Sequence, residues 1–246
     1  MCLVAFAFGV SKDYPLIFAT NRDELHARPT SGAKWWEDHE HILGGRDLLA
    51  GGTWLAIDQI GRLAAVTNIP SNQDAIFEKS RGHLVRDYLI GQSPIDQFIS
   101  TLDDGGGYAP YNLLLFNGFN MHYSSNKAPE KLLPPGTYAI SNAPMGTRWP
   151  KIHYAESSIR SALTSATPEK DLFEMLENQD PQSLEENSLD YDDRQSRTFI
   201  NNKLFGTRSS TVIVISGAGE VNFIERLYDS DGRRLEENKH RFNLGS

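Results

Sequence analysis

The chain has 246 residues, 39% apolar and 23% charged, with twelve Phe, nine Tyr and four Trp; this excludes a disordered composition and predicts one domain over 1–246. Acidic residues outnumber basic ones 32 to 24, for a formal charge of −8, and no basic run exceeds Arg233-Arg234, so the positive patch that a nucleic-acid partner requires is missing. The apolar run 3–10 lacks a basic segment before it and is too short to cross a bilayer, so neither a signal peptide nor a transmembrane segment is expected, and a cytoplasmic location is.

Residues 2–8 alternate bulky and small side chains before Gly9 and read as a strand, with a second strand over 16–20. The hairpin so formed sets Cys2 beside the polar run Asn21-Arg22-Asp23-Glu24 that follows the second strand. Arg28-Pro29 forces an extended path, Trp35-Trp36 falls in a polar loop with His39 and His41, and the pairs at 44–45 and 51–52 bracket a flexible piece. Strands over 54–58 and 62–67 make the next hairpin and deliver Asn68 at its end. Ser80 caps a helix carrying Leu84, Val85, Tyr88 and Leu89, Pro94 opens a second with Ile95, Phe98, Ile99 and Leu102, and the glycines at 105–107 form a linker. Strands over 111–116, 121–124 and 136–141 follow, the last closed by Asn142-Ala143-Pro144.

Ile152, Ala155, Ile159, Ala162, Leu163 and Ala166 recur at helical spacing, and Thr167-Pro168 starts another helix presenting Leu172, Phe173 and Leu176. The acidic stretch 185–193 reads as a loop, and 211–216 with 221–228 as the last hairpin. Helices clustered between hairpins argue against a parallel sheet and for an α+β protein of largely antiparallel sheets with helices on their outer faces. A four-layer α-β-β-α sandwich and a two-layer α+β domain both satisfy that pattern.

A single cysteine precludes an intrachain disulfide and agrees with a reducing compartment. Such a residue in an apolar stretch is ordinarily a small buried hydrophobe. Position 2 adds another possibility, because removal of Met1 leaves Cys2 with a free α-amine whose pKa near 8 lets it take the thiol proton. Catalysis of that kind needs donors for a developing oxyanion and an acid beside the amine. Asp23, Asn68, Asn142 and Arg208 supply them at strand ends, and Arg22 can hold an acidic substrate, although each also has an ordinary role in a turn or a surface ion pair. Trp35, Trp36, Met121 and Met145 could line a substrate pocket or simply pack. No cofactor is expected, since the glycine pairs match neither a dinucleotide fingerprint nor a phosphate loop. His39 and His41 lack a third ligand at useful spacing, so no metal is expected either.

Cys2-Leu3, Asn21-Arg22-Asp23-Glu24, Gly44-Gly45-Arg46-Asp47, Gly51-Gly52-Thr53-Trp54, Val66-Thr67-Asn68, Ser141-Asn142-Ala143-Pro144 and the segment 206–211 together resemble the NRDE-domain proteins, the Transport and Golgi organisation protein 2 family. That family in turn resembles the cysteine-type Ntn hydrolases, which include choloylglycine hydrolase and penicillin V acylase. The resemblance implies their four-layer sandwich, with Cys2 as nucleophile, Asp23 as partner of its amine, Asn68 and Asn142 as oxyanion or amine ligands and Arg208 as a stabiliser. One departure stands out: the hydrolases place their first arginine three residues before the Asp, where this chain has Thr20, and here Arg22 is adjacent.

The implied activity is hydrolysis of a non-peptide C–N amide, a small acyl amide, through an acyl-thioester at Cys2. The alternative is a non-catalytic carrier of haem or of a hydrophobic acidic ligand such as an acyl-CoA, since eukaryotic relatives are associated with Golgi organisation, haem handling and acyl-lipid metabolism. A homo-oligomer is compatible with either. On the hydrolase reading the Cys2 sulfur is exposed to a pocket and labels faster at neutral pH than an ordinary thiol.

Overall fold

A computed structural model describes residues 2–71, 76–102, 107–183 and 192–245. In chain order they form β1 (Cys2–Phe8), β2 (Leu16–Leu25), β3 (Thr30–Trp35), β4 (Ile42–Asp47), β5 (Leu55–Asp58), β6 (Leu63–Asn68), α1 (Gly82–Ile90), α2 (Ile95–Ser100), β7 (Tyr111–Phe116), β8 (Met121–Ser125) and β9 (Lys131–Leu133). There follow β10 (Gly136–Ile140), α3 (Pro150–Ala162), α4 (Pro168–Leu176), α5 (Asp193–Ser196), β11 (Phe205–Ile215), β12 (Glu220–Tyr228) and β13 (Arg234–Asn243). They divide into two compact units, one of Met1–Ala27, Pro135–Ser141 and Gly146–Phe242, the other of Arg28–Pro134, Asn142–Met145 and Asn243–Ser246.

In the first unit an antiparallel sheet runs in the order β10-β1-β2-β11-β12-β13. The alternation read in the sequence decides its two faces. Leu3, Ala5, Ala7, Ile17 and Ala19 present small or slender side chains on which α3 and α4 settle through Ala155, Ile159, Leu172, Phe173 and Leu176. The bulky partners Phe6, Phe8 and Phe18 point the other way, with Phe6 stacked on Phe18 at 5.8 Å and on Tyr138 at 5.3 Å.

In the second unit β3 to β9 form a meander in sequence order. The helices α1 and α2 cover one face, packing Leu84, Val85, Tyr88, Leu89 and Ile95 on Ala56, Ala64, Val66, Leu113 and Leu115. Trp36 belongs to this core: 2% exposed, it donates from its indole nitrogen to the Gly44 carbonyl at 3.0 Å, and the Arg46 guanidinium lies 4.1 Å over its ring. Packing, one of the two roles the sequence left open for Trp36, is what these contacts describe. The first of the two glycine pairs expected to bracket a flexible piece lies in β4, and its glycines answer to close approach. A Cβ on Gly44 would meet the Leu55 carbonyl at 2.6 Å, and one on Gly45 would enter the Trp54 ring. Gly45→Ala is therefore expected to cost about 2 kcal/mol through overpacking, read as a lower urea midpoint with unchanged slope.

Further differences are local. Trp35 ends a strand rather than lying in a loop, β9, α5 and β13 lack the periodicity that announces an element, and the first helix starts at Gly82, with the Ser80 hydroxyl accepting from the Gly82 N–H at 3.3 Å. Gly105 and Gly106 of the expected linker, and positions 185–191 of the expected acidic loop, lie outside the described residues.

Candidate active site

The polar run at 21–24 does not follow β2; it is part of it, because the strand continues to Leu25. Consecutive residues therefore alternate faces, and register assigns each one. Cys2 lies opposite Arg22, and Arg22 opposite Ser209, so these three form a row across β1, β2 and β11. Leu3, Asn21 and Ser210 form the next row, on the helix-covered face.

Asn21 is structural. Its amide donates to the carbonyls of Leu176 at 2.7 Å and Thr198 at 2.8 Å, and its oxygen accepts from the Ser210 hydroxyl at 2.6 Å, tying the end of α4 to the sheet.

Asp23 is 2% exposed, and its Oδ1 accepts from the Thr207 hydroxyl at 2.7 Å. A bulge in β11 between Thr207 and Ser209 makes this possible: Thr207 pairs with Asp23 and Ser209 with Arg22, leaving Arg208 as the extra residue. The half-buried Arg208 donates from Nη1 to the carbonyls of Leu25 and His26, each at 2.9 Å, so it clamps the end of β2. Arg22 is 5% exposed with Glu24 at 3.9 Å, while Thr20, at the position of the hydrolases' first arginine, donates to the Leu3 carbonyl at 2.7 Å. The sequence departure thus has a structural counterpart: the arginine reaches the Cys2 row by being adjacent to Asp23 on a strand that has not ended.

Cys2 is 8% exposed, and the Ser141 hydroxyl donates to its carbonyl at 2.7 Å. Burial pushes its thiol above the ordinary cysteine value and the Asp23 carboxylate adds to this, while Arg22 and the Asp23 backbone N–H, which donates to Sγ, pull the other way. The sulfur expected to be exposed belongs to a buried residue in this structure, where burial pushes the thiol up. Burial likewise pushes the Asp23 carboxyl up, opposed by the charges of Lys151 and Arg22 and by the Thr207 hydrogen bond.

Lys151, Thr207 and Ser209 were not among the residues expected at the site. Lys151 is 0% exposed, and neither its Nζ nor the buried Ser209 hydroxyl has a hydrogen-bond partner among the described residues.

Asn68 and Asn142 lie in the second unit, where the Asn142 amide donates to the Asn68 carbonyl at 2.6 Å. Asn112 donates to the Thr67 hydroxyl and to the Ala143 carbonyl, both at 3.0 Å, and accepts from the Tyr123 hydroxyl at 2.8 Å. Thr67-Asn68 and Asn142-Ala143 are thereby joined within that unit. Trp35 is half-buried there, Met121 is fully buried, and the His39 and His41 rings meet edge-on at 6.2 Å.

Two solved structures share this architecture. The Caenorhabditis elegans N-acylethanolamine-hydrolyzing acid amidase ortholog superposes with a TM-score of 0.54 at 13% identity, covering 87% of this chain and 92% of its own. A mutant conjugated bile acid hydrolase from Clostridium perfringens gives 0.54 at 10% identity, covering 99% and 98%. At such identities the likeness shows the fold, the layered α-β-β-α arrangement of the Ntn hydrolases, and sets aside the two-layer alternative. In sequence, the mouse Transport and Golgi organization 2 homolog is 31% identical and the human homolog 30%, each over 100% of both chains. The Drosophila melanogaster Transport and Golgi organization protein 2 is 27% identical over 92% of this chain and 91% of its own. The family model described as Transport and Golgi organisation 2 matches residues 1–230, and the chain belongs to that family.

Proposed function

We propose that this protein is an N-terminal-nucleophile amidohydrolase acting on a non-peptide C–N amide, with Cys2 as nucleophile. The observation that carries the reading is the register that sets Cys2 opposite Arg22 with the Asp23 N–H donating to its sulfur. Removal of Met1 makes the Cys2 α-amine the base. The thiol attacks the acyl carbon as its proton passes to that amine, and the C–N bond breaks as the proton is handed to the leaving amine. Water then cleaves the thioester to the free acid and restores the thiol.

Asp23 orients the amine in this scheme. Asn68 and Asn142 are carried from the family pattern as oxyanion or amine ligands, and Arg208 as a stabiliser. Arg22 and the half-buried Trp35 are the candidates for contact with an acidic, hydrophobic acyl group. What supports an N-acyl amide as substrate is the pair of structural relatives, named for an N-acylethanolamine-hydrolyzing amidase and a conjugated bile acid hydrolase. Because burial holds the Asp23 carboxyl above its ordinary 3.8, activity that needs the carboxylate falls off in acid at a higher pH than an unperturbed aspartate sets.

The intact mass of protein purified from its native cell tests the scheme at its first step: it is expected to lack Met1. One extra residue left ahead of Cys2 is expected to abolish turnover while leaving the unfolding midpoint in place. A native protein that retains Met1 in essentially every molecule removes the mechanism.

A further inference from the structure

The six-stranded sheet ends at β13, which has a strand neighbour on one side only among the described residues. The strand is ten residues long and contains neither Pro nor Gly, whereas the other sheet edges, β3, β9 and β10, have six, three and five residues. Shortness and Pro are the usual means of keeping an edge from pairing, and β13 uses neither. What it carries is charge in a particular order, Glu236-Glu237-Asn238-Lys239-His240, with acids on one side of a neutral residue and basic side chains on the other. Charge on an edge ordinarily repels other strands, but an order that reverses sign about its centre attracts the same strand running the opposite way.

We infer that this edge is occupied by a second copy of the chain, β13 pairing antiparallel with its own copy about Asn238, so that two six-stranded sheets become one continuous sheet. A twofold axis normal to the sheet keeps every side chain on its own face and sets residues opposite each other about one central position. With Asn238 at that centre, Glu237 of each copy faces Lys239 of the other and Glu236 faces His240. Leu235, 68% exposed in the single chain, meets the aliphatic stem of Arg241. Moving the centre by one residue either way sets Glu237 or Lys239 opposite its own copy, like charge on like. The central acid is already held in place: Glu237 accepts from Arg226 Nε at 2.7 Å, and its other oxygen lies 2.7 Å from Lys239 Nζ. The row is therefore ordered before a partner arrives, which lowers the cost of association.

Sedimentation of the full-length protein over a concentration series is expected to show a dimer that dissociates on dilution. Glu237→Lys and Lys239→Glu each place like charges opposite each other twice, and each alone is expected to weaken self-association about tenfold or more. Mixed in equal amounts, the two variants are expected to pair with one another about as well as the wild type pairs with itself, since one then presents only acids and the other only bases at these positions. A variant that had merely lost its fold could not do this. Asn238→Cys brings two cysteines to the axis with Cα atoms about 5 Å apart, within disulfide reach, so mild oxidation is expected to link two chains at 238, while Glu236→Cys, which faces His240, stays unlinked. A protein that remains monomeric at its highest soluble concentration overturns the proposal. So does a dimer that the charge variants leave intact, or one that Asn238→Cys fails to link. If either charge variant does not fold, the link at 238 decides alone.

Discussion

Cys2→Ala is expected to lower turnover of an N-acyl amide by about four orders of magnitude or more while leaving the protein folded. The activity loss is large because the nucleophile and its base act as a unit: without sulfur there is no thioester, and the α-amine has no proton to accept. The stability loss is small because alanine removes one atom at a strand start, about 1 kcal/mol by the usual cost of a small cavity. Measured together, kcat and the urea midpoint separate a chemical role from a packing one. Retained turnover would assign the reaction to another residue, and a collapsed midpoint would return Cys2 to the ordinary role of a small buried hydrophobe.

Asn21→Ala is expected to show the opposite pattern, a loss of about 3 to 5 kcal/mol in stability arising from no chemistry at all. The substitution leaves the carbonyls of Leu176 and Thr198 and the hydroxyl of Ser210 without the partner each now has in a buried site. Each lost bond of this kind costs about 1 kcal/mol or more, and the three belong to one network. Asn21→Asp is expected to be nearly as damaging, because it trades the amide donor for a buried charge aimed at two carbonyl oxygens. Thermal unfolding checks both. A midpoint within a degree or two of the wild type would mean that Leu176 and Thr198 find other donors and that Asn21 does not hold α4 to the sheet.

Asn21 also shows where a sequence motif and a reaction site part company. The four residues at 21–24 read as one polar cluster after a strand, whereas in the fold they alternate faces inside β2: Asn21 serves the helix layer, Arg22 the Cys2 row, and Asp23 its bond with Thr207. The hairpin of β1 and β2 was legible because its alternation of large and small side chains is strong and its connection short. Strand length was not, since polar residues inside a buried strand look like its end.

Ser209 was hidden for a different reason. Its face depends on the register shift between Thr207 and Ser209, and a one-residue insertion in register leaves no periodic trace. Lys151 was visible in principle, as a lysine occupying the apolar stripe of a clearly periodic helix, where a charge needs an explanation.

The central claim is that Cys2 carries an acyl group during the reaction, and the most direct measurement is peptide mapping of protein quenched in acid after mixing with N-acyl amides of an ethanolamine or of an amino acid. The account predicts an added acyl mass on the N-terminal peptide, located to Cys2, which is absent in Cys2→Ala and discharged by hydroxylamine. Turnover with no adduct on that peptide, or an adduct that survives in Cys2→Ala, would contradict it; saturable binding of haem or an acyl-CoA without any turnover would favour a carrier instead.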